Sequence, residues 1–261
     1  MPLTVVDWPA IPQCDGSQWF VGDLNQLAKL TALVFVGRAQ HAAEILNGSQ
    51  ALPAMVPAKF KGILKQRLVL PPGAYKAHRD GLLFETICWL VARGNSSPNE
   101  AITDPHRRAT QQGADMIKVS FDPVARVLEG ATVYEYKCTS HARRRFAKEV
   151  LPAFREYLDA ERDDQLSQTT LALLSSFNLN EQEQASAYER LLGNRPLSFQ
   201  AALTVTPDQF PTVKCTKLFK GFDLLPVAQA NRIGDTFPLA DMRLWFDVFA
   251  LAVWGHIDAN V

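Results

Sequence analysis

The chain has 261 residues, 47% of them hydrophobic and 21% charged, with no low-complexity tract, a length and composition suited to one globular unit with a substantial core. Lys plus Arg and Asp plus Glu each number 27, so the formal charge is zero. That argues against a basic coat for wrapping nucleic acid but leaves room for a local basic groove, because affinity follows the few cations that face the phosphates.

The N-terminus, Met1-Pro2-Leu3-Thr4, has no basic region followed by an apolar run, so no signal peptide is expected. Asp23 is a candidate cap for a helix running to about Asn47, with Gly48 as its stop. Leu24, Leu27, Leu30, Leu33 and Val34 recur there at helical spacing. A stretch with Pro53, Pro57, Pro71 and Pro72 reads as extended or irregular, with a short strand near 66–70. A second helix is expected over 77–93, stopped by Gly94. Residues 95–112 are polar and read as a loop.

Two strands rich in Val, Ile, Tyr and Phe follow, over 114–121 and 132–138, joined by a connection longer than a tight hairpin turn. Ser140 then caps a long helix with Phe146, Val150, Phe154 and Leu158 on one face, bent at Pro152. Helices are expected over 164–175 and 181–192, strands over 199–206 and 213–219. A last helix over 239–256 puts Met242, Trp245, Phe246, Phe249 and Val253 on one buried stripe.

The expected class is α/β, a short mixed central sheet flanked by helices. No repeat or linker divides the chain, so it reads as a single domain over 1–261 with a helical N-terminal lead-in over about residues 1–75. The most apolar late stretch, 248–254, is too short to span a bilayer. Four scattered cysteines (Cys14, Cys88, Cys138, Cys215) form no CxxC, which argues against a disulfide framework or a structural zinc site. The expected location is cytoplasmic.

Chemistry concentrates in three pieces: Gly81-Leu-Leu-Phe-Glu85, Gly113-Ala-Asp115 and Tyr134-Glu-Tyr-Lys137. Residues two apart on a strand share a face, so Glu135 and Lys137 project together while Tyr134, Tyr136 and Cys138 point the other way. An acid and an amine side by side on an apolar strand need a reason, because buried charge is costly unless paired or bound to a metal. Antiparallel pairing brings Asp115, at the start of the preceding strand, toward Glu135. Two close carboxylates invite a proton or a divalent cation, and hard oxygen ligands favour Mg2+ or Mn2+. Glu85 lies on a mostly apolar helix, with Leu82 and Trp89 at helical spacing around it, and is a third candidate ligand. The metal set is thus Asp115, Glu135 and Glu85, with the Tyr136 carbonyl beside them. Lys137 is expected to orient a water or stabilise developing negative charge.

At these residues the chain resembles the PD-(D/E)xK nuclease superfamily. The resemblance covers roughly Gly81 to Leu158: helix acid, strand Asp, strand Glu-x-Lys, amphipathic helix. It implies a restriction-endonuclease-like sheet, Mg-dependent endo- or exonucleolytic cleavage and catalytic Glu85, Asp115, Glu135 and Lys137. Ala114 stands where the family name has proline, and the gap from Asp115 to Glu135 is long. The size, with Glu-x-Lys midway along a helix-rich chain, also resembles the nuclease subunit of the Hachiman antiphage system, which implies antiviral defence and a helicase partner.

Other residues have competing readings. Arg143, Arg144 and Arg145 are candidate phosphate contacts, although cations at a helix N-terminus oppose the dipole. Lys118, Arg107, Arg108, Gln111 and Gln112 are candidates to line a groove for DNA (or RNA), against ordinary surface pairing. His141 reads as a cap or surface residue, Cys138 as packing, and Trp245 and Trp254 as parts of a buried helix. The alternative to an active nuclease is a non-catalytic nucleic-acid- or protein-binding subunit on the same fold.

Overall fold

A computed structural model of the chain describes residues 1–50, 52, 55–106, 113–207 and 212–260. Its centre is a seven-stranded mixed sheet in the order β1-β2-β7-β6-β5-β4-β3. The strands are β1 (Leu3–Asp7), β2 (Ser17–Val21), β3 (Glu100–Ile102), β4 (Met116–Asp122), β5 (Val127–Lys137), β6 (Leu197–Val205) and β7 (Arg232–Pro238). Neighbours β2, β7, β6 and β5 run parallel, and antiparallel pairs close both edges.

Helices cover both faces. One layer holds α1 (Leu24–Phe35), α2 (Ala39–Leu46), α3 (Ala58–Leu68), α4 (Ala77–Gly94) and α10 (Met242–Asp258), packed on Met116, Tyr134, Tyr136, Ala202 and Phe237. The other holds α5 (Ala142–Arg145), α6 (Leu151–Leu158), α7 (Asp163–Leu174), α8 (Glu181–Asn194) and α9 (Thr212–Leu218), packed on Ile117, Val119, Val133, Phe199, Ala201 and Leu203. Alternation along each strand sends successive side chains into opposite layers, so both faces bury apolar surface and the central strands lose the simple polar-out pattern. The mixed α/β class and the helix-flanked sheet agree with the sequence expectation. Among the described residues, no helix is long and apolar enough to cross a membrane.

Several elements differ from expectation. The first helix breaks in two at Gly37, whose φ of +85° ends α1; Asp23 does cap it, accepting from the Gln26 N–H. The proline-rich stretch contains α3, where an extended run and a strand over 66–70 were expected. Only Leu64 and Leu68 of α3 are buried, too narrow a stripe to register as amphipathic. The lead-in is not purely helical, since β1 and β2 extend the sheet. Residues 213–219 form most of α9, not a strand. The connection between β4 and β5 is tight after all, because β5 begins at Val127. Asp122 Oδ1 accepts from the Val124 and Ala125 N–H groups and Arg126 takes a left-handed φ of 58°, an Asx turn.

Pro152 acts on its helix in a specific way. A π-helical segment, Phe146–Val150, links α5 to α6, and the Leu151 N–H reaches back to the Phe146 carbonyl. Pro152 has no N–H to continue the α ladder, so the wider turn takes up one residue while Phe146, Val150 and Phe154 stay buried. The cap position is His141, whose N–H donates to Thr139 Oγ1, and Ser140 precedes it.

Candidate metal centre

The site lies where β5 runs past the start of β4. Alternation works there as the sequence implies: Tyr134 and Tyr136 pack into the α4 layer, their rings tilted with centres 5.8 Å apart, and Glu135 and Lys137 face the α5–α6 layer. Lys137 Nζ lies 2.9 Å from Glu135 Oε2 and 3.6 Å from Asp115 Oδ2, so the two carboxylates share one ammonium. Asp115 Oδ2 also accepts the Tyr136 N–H at 2.5 Å. The N–H and C=O of one strand residue project to the same side, so the Tyr136 carbonyl faces the Asp115 side of the strand as well.

Glu85 comes in from the middle of α4 and is 8% exposed. Its Oε1 accepts the His106 N–H at 2.6 Å and lies 3.2 Å from His106 Nδ1. The segment that delivers His106 is pinned on both sides. Trp89 Nε1 of α4 donates to the Thr103 carbonyl, and the Ile117 N–H of β4 donates to Thr103 Oγ1. One ligand atom from each of Glu85, His106 and Asp115 lies within 4.8 Å of the others. That trio, rather than a set containing Glu135, is the closest grouping of ligand atoms among the described residues. The donor set fits a divalent cation, and Glu135 is engaged by Lys137 beside it.

Electrostatics follow from crowding acids under apolar helices. Burial raises the Glu85 carboxyl above its usual range, opposed by the bond from His106, and the Asp115 charge adds to the rise. His106 is raised by its bond to Glu85 against the cost of burial. Burial and then the Asp115 charge push Glu135 up to about 7. Burial works against the Lys137 ammonium, but the Asp115 and Glu135 charges outweigh it and hold the ammonium well above its ordinary value.

Two clefts meet at this point. One of about 330 Å³ runs along α4 and includes His78, Glu85, Asp115, Lys137 and Arg145 in its walls. The other, of about 980 Å³, runs between α6 and α7 and includes Asp115, Glu135, Lys137, Glu156 and Arg162. Glu149 borders both.

Four sequence-expected residues, Glu85, Asp115, Glu135 and Lys137, thus come together. The expected phosphate contacts divide. Arg145 lines the smaller cleft, paired with Glu149. Arg143 donates to the Leu218 and Lys220 carbonyls at 3.0 and 2.8 Å, tying α5 to the end of α9, and Arg144 is exposed. Lys118 pairs with Glu100 at 2.6 Å, across β3 and β4 and away from the site. Gln112, with Arg107, Arg108 and Gln111, lies outside the described residues. Cys138 packs as expected, its Sγ 3.7 Å from Met242 Sδ. Sequence reasoning missed His106, Glu149 and Arg162. His106 follows Pro105 in a polar run, and no local spacing links it to Glu85, so only the fold joins them. Comparison with protein-family models and with curated proteins finds no match to this chain.

Proposed function

We propose that the chain is a metal-dependent nuclease of the PD-(D/E)xK type, hydrolysing phosphodiester bonds in DNA. One observation carries the reading: Asp115 and Glu135 share the Lys137 ammonium at the mouth of two clefts, with Glu85 alongside. The order α4, β3, β4, β5, α5–α6 and a parallel β6 supports a restriction-endonuclease-like core, with Glu85 on α4, Asp115 immediately before β4 and Glu135 on β5.

Glu85, His106 and Asp115 would hold the cation, with Glu135 and the Tyr136 carbonyl beside them. A bound divalent ion supplies Lewis-acid polarisation of the phosphodiester and lowers the pKa of a bound water. Asp115 is oriented for this by the Tyr136 N–H. Glu135 holds Lys137 in one rotamer facing Asp115. Lys137 serves as a hydrogen-bond donor and positive charge toward water or the phosphorane-like oxygens.

Net charge zero and an acid-rich pair of clefts favour a partner that supplies grip on the nucleic acid, in keeping with a defence subunit working beside a helicase. The test incubates the purified chain with linear and circular DNA, and with RNA, in Mg2+, Mn2+ or EDTA. Metal-dependent cleavage is expected, reduced at least about 100-fold by Glu135→Gln and by Lys137→Ala, with unchanged circular dichroism. Cleavage that survives both substitutions overturns the assignment. Absence of cleavage with every metal, alone and with its partner, would move the reading to a non-catalytic binding subunit.

A further inference from the structure

We infer that Glu85, His106 and Asp115 form a mixed nitrogen–oxygen cation site, with His106 as a direct ligand, that takes a first-row transition ion in preference to Mg2+. This deepens the nuclease reading by naming the metal class, but it stands on the geometry of three side chains from three separate segments.

The ligand atoms converge within 4.8 Å. Ligands of one ion at bond lengths near 2.1 Å lie about 3 to 4.2 Å apart, so the trio closes onto one ion with shifts on the order of 1 Å. The approach is not an accident of a loose loop, because His106 is delivered by backbone held to α4 and β4 through Thr103. Asp115 is fixed by the Tyr136 N–H, and Glu85 sits mid-helix.

The charge balance points the same way. Three acids (Glu85, Asp115, Glu135) face one ammonium, Lys137. Carboxyls crowded in a largely buried site hold their charge best beside cations, and a divalent ion adds to what Lys137 supplies. An imidazole ligand separates the candidate ions. Mg2+ binds through oxygen and keeps its waters, while imidazole nitrogen suits first-row transition ions. Glu85 Oε1 lies 3.2 Å from His106 Nδ1, and ion binding substitutes for that contact.

The test measures binding of Mn2+ and Mg2+ without nucleic acid. Mn2+ titration is followed by electron paramagnetic resonance, and pulsed measurement on bound Mn2+ reads nitrogen-14 coupling directly. The wild-type chain is expected to bind Mn2+ at least about tenfold tighter than Mg2+, with a histidine nitrogen coupling. His106→Ala should lose the coupling and most of the Mn2+ preference, with Mg2+ affinity changed less than about threefold. Asp115→Asn should weaken both ions. Bound Mn2+ without nitrogen coupling in the wild type overturns the inference, with no variant needed. So does a coupling that persists in His106→Ala, or failure of any ion to bind. Cleavage without nitrogen coupling would sink this inference and leave the nuclease reading standing. Coupling without cleavage under any condition would do the reverse.

Discussion

Asp235 illustrates how a single buried acid can be structural. It is 2% exposed on β7 and accepts three bonds: from the Ser17 N–H at 3.0 Å, the Ser17 hydroxyl at 2.8 Å and Gln200 Nε2 at 2.5 Å. Burial nonetheless pushes its pKa up to about 6, the bonds opposing and the Asp7 charge adding. A carboxyl whose folded pKa exceeds its unfolded value binds its proton more tightly in the folded chain. Its contribution is therefore complete below about pH 4 and is lost as pH rises through about 6. Lowered carboxyls such as Glu183, at about 2, titrate below that window. Denaturant unfolding of wild type and Asp235→Asn between pH 4 and 7 should diverge, wild type losing on the order of 2 kcal/mol relative to the variant. Parallel profiles would refute the assignment. Asp235 and Glu135 are both buried acids on sheet strands, but only Glu135 was legible as functional. Its neighbour two residues on is an amine, whereas the partners of Asp235 lie on other strands.

Glycine fixes how closely two strands approach at one edge of the parallel core. A Cβ added at Gly16, next to β2, would lie 1.8 Å from the Gly234 carbonyl oxygen and 2.5 Å from the Trp8 ring. The backbone there cannot yield without moving β7. Gly16→Ala should therefore cost more than about 2 kcal/mol and lower Tm by at least about 4 °C. Gly62→Ala, on α3 where an added Cβ meets nothing within 4 Å, should instead gain about 0.5–1 kcal/mol from reduced unfolded-chain freedom and better helix propensity. Thermal melts of the two variants check both signs, and a Gly16→Ala melt matching wild type would contradict the close packing. Elements with strong periodicity (α1, α4, α8, α10 and the strands around Glu-x-Lys) were readable from sequence. β2 and β7 were not, because Gln18, Gly234 and Asp235 interrupt the apolar run that a buried strand ordinarily has.

Charge around the two clefts bears on what the whole molecule can grip. Their cations are few and mostly committed: Lys137 to Glu135, Arg145 to Glu149 and Arg162 to Glu156. Glu149, Glu156, Glu161 and Asp164 line the larger cleft against Lys137, Lys148 and Arg162. Phosphate affinity scales with the number of cations that displace counterions. The isolated chain should thus bind duplex DNA weakly, with a log–log salt slope no steeper than about −3. Fluorescence anisotropy between 50 and 200 mM salt reads that slope, and a value near −6 would mean a basic surface lies elsewhere on the chain. Divalent ions should strengthen binding by neutralising Glu85, Asp115 and Glu135.

The sequence by itself determined the α/β character, the helix carrying Glu85 and the shared face of Glu135 and Lys137. Each of these is a local property set by the 3.6- or 2-residue period of side-chain direction. Tertiary structure alone decided the rest. It paired β2 with β7, about two hundred residues apart in the chain. It carried Arg143 to the end of α9 and Lys118 to Glu100, away from the clefts. It also set His106 against Glu85, because which side chains share a buried volume depends on how strands order and helices stack, and no local spacing encodes that.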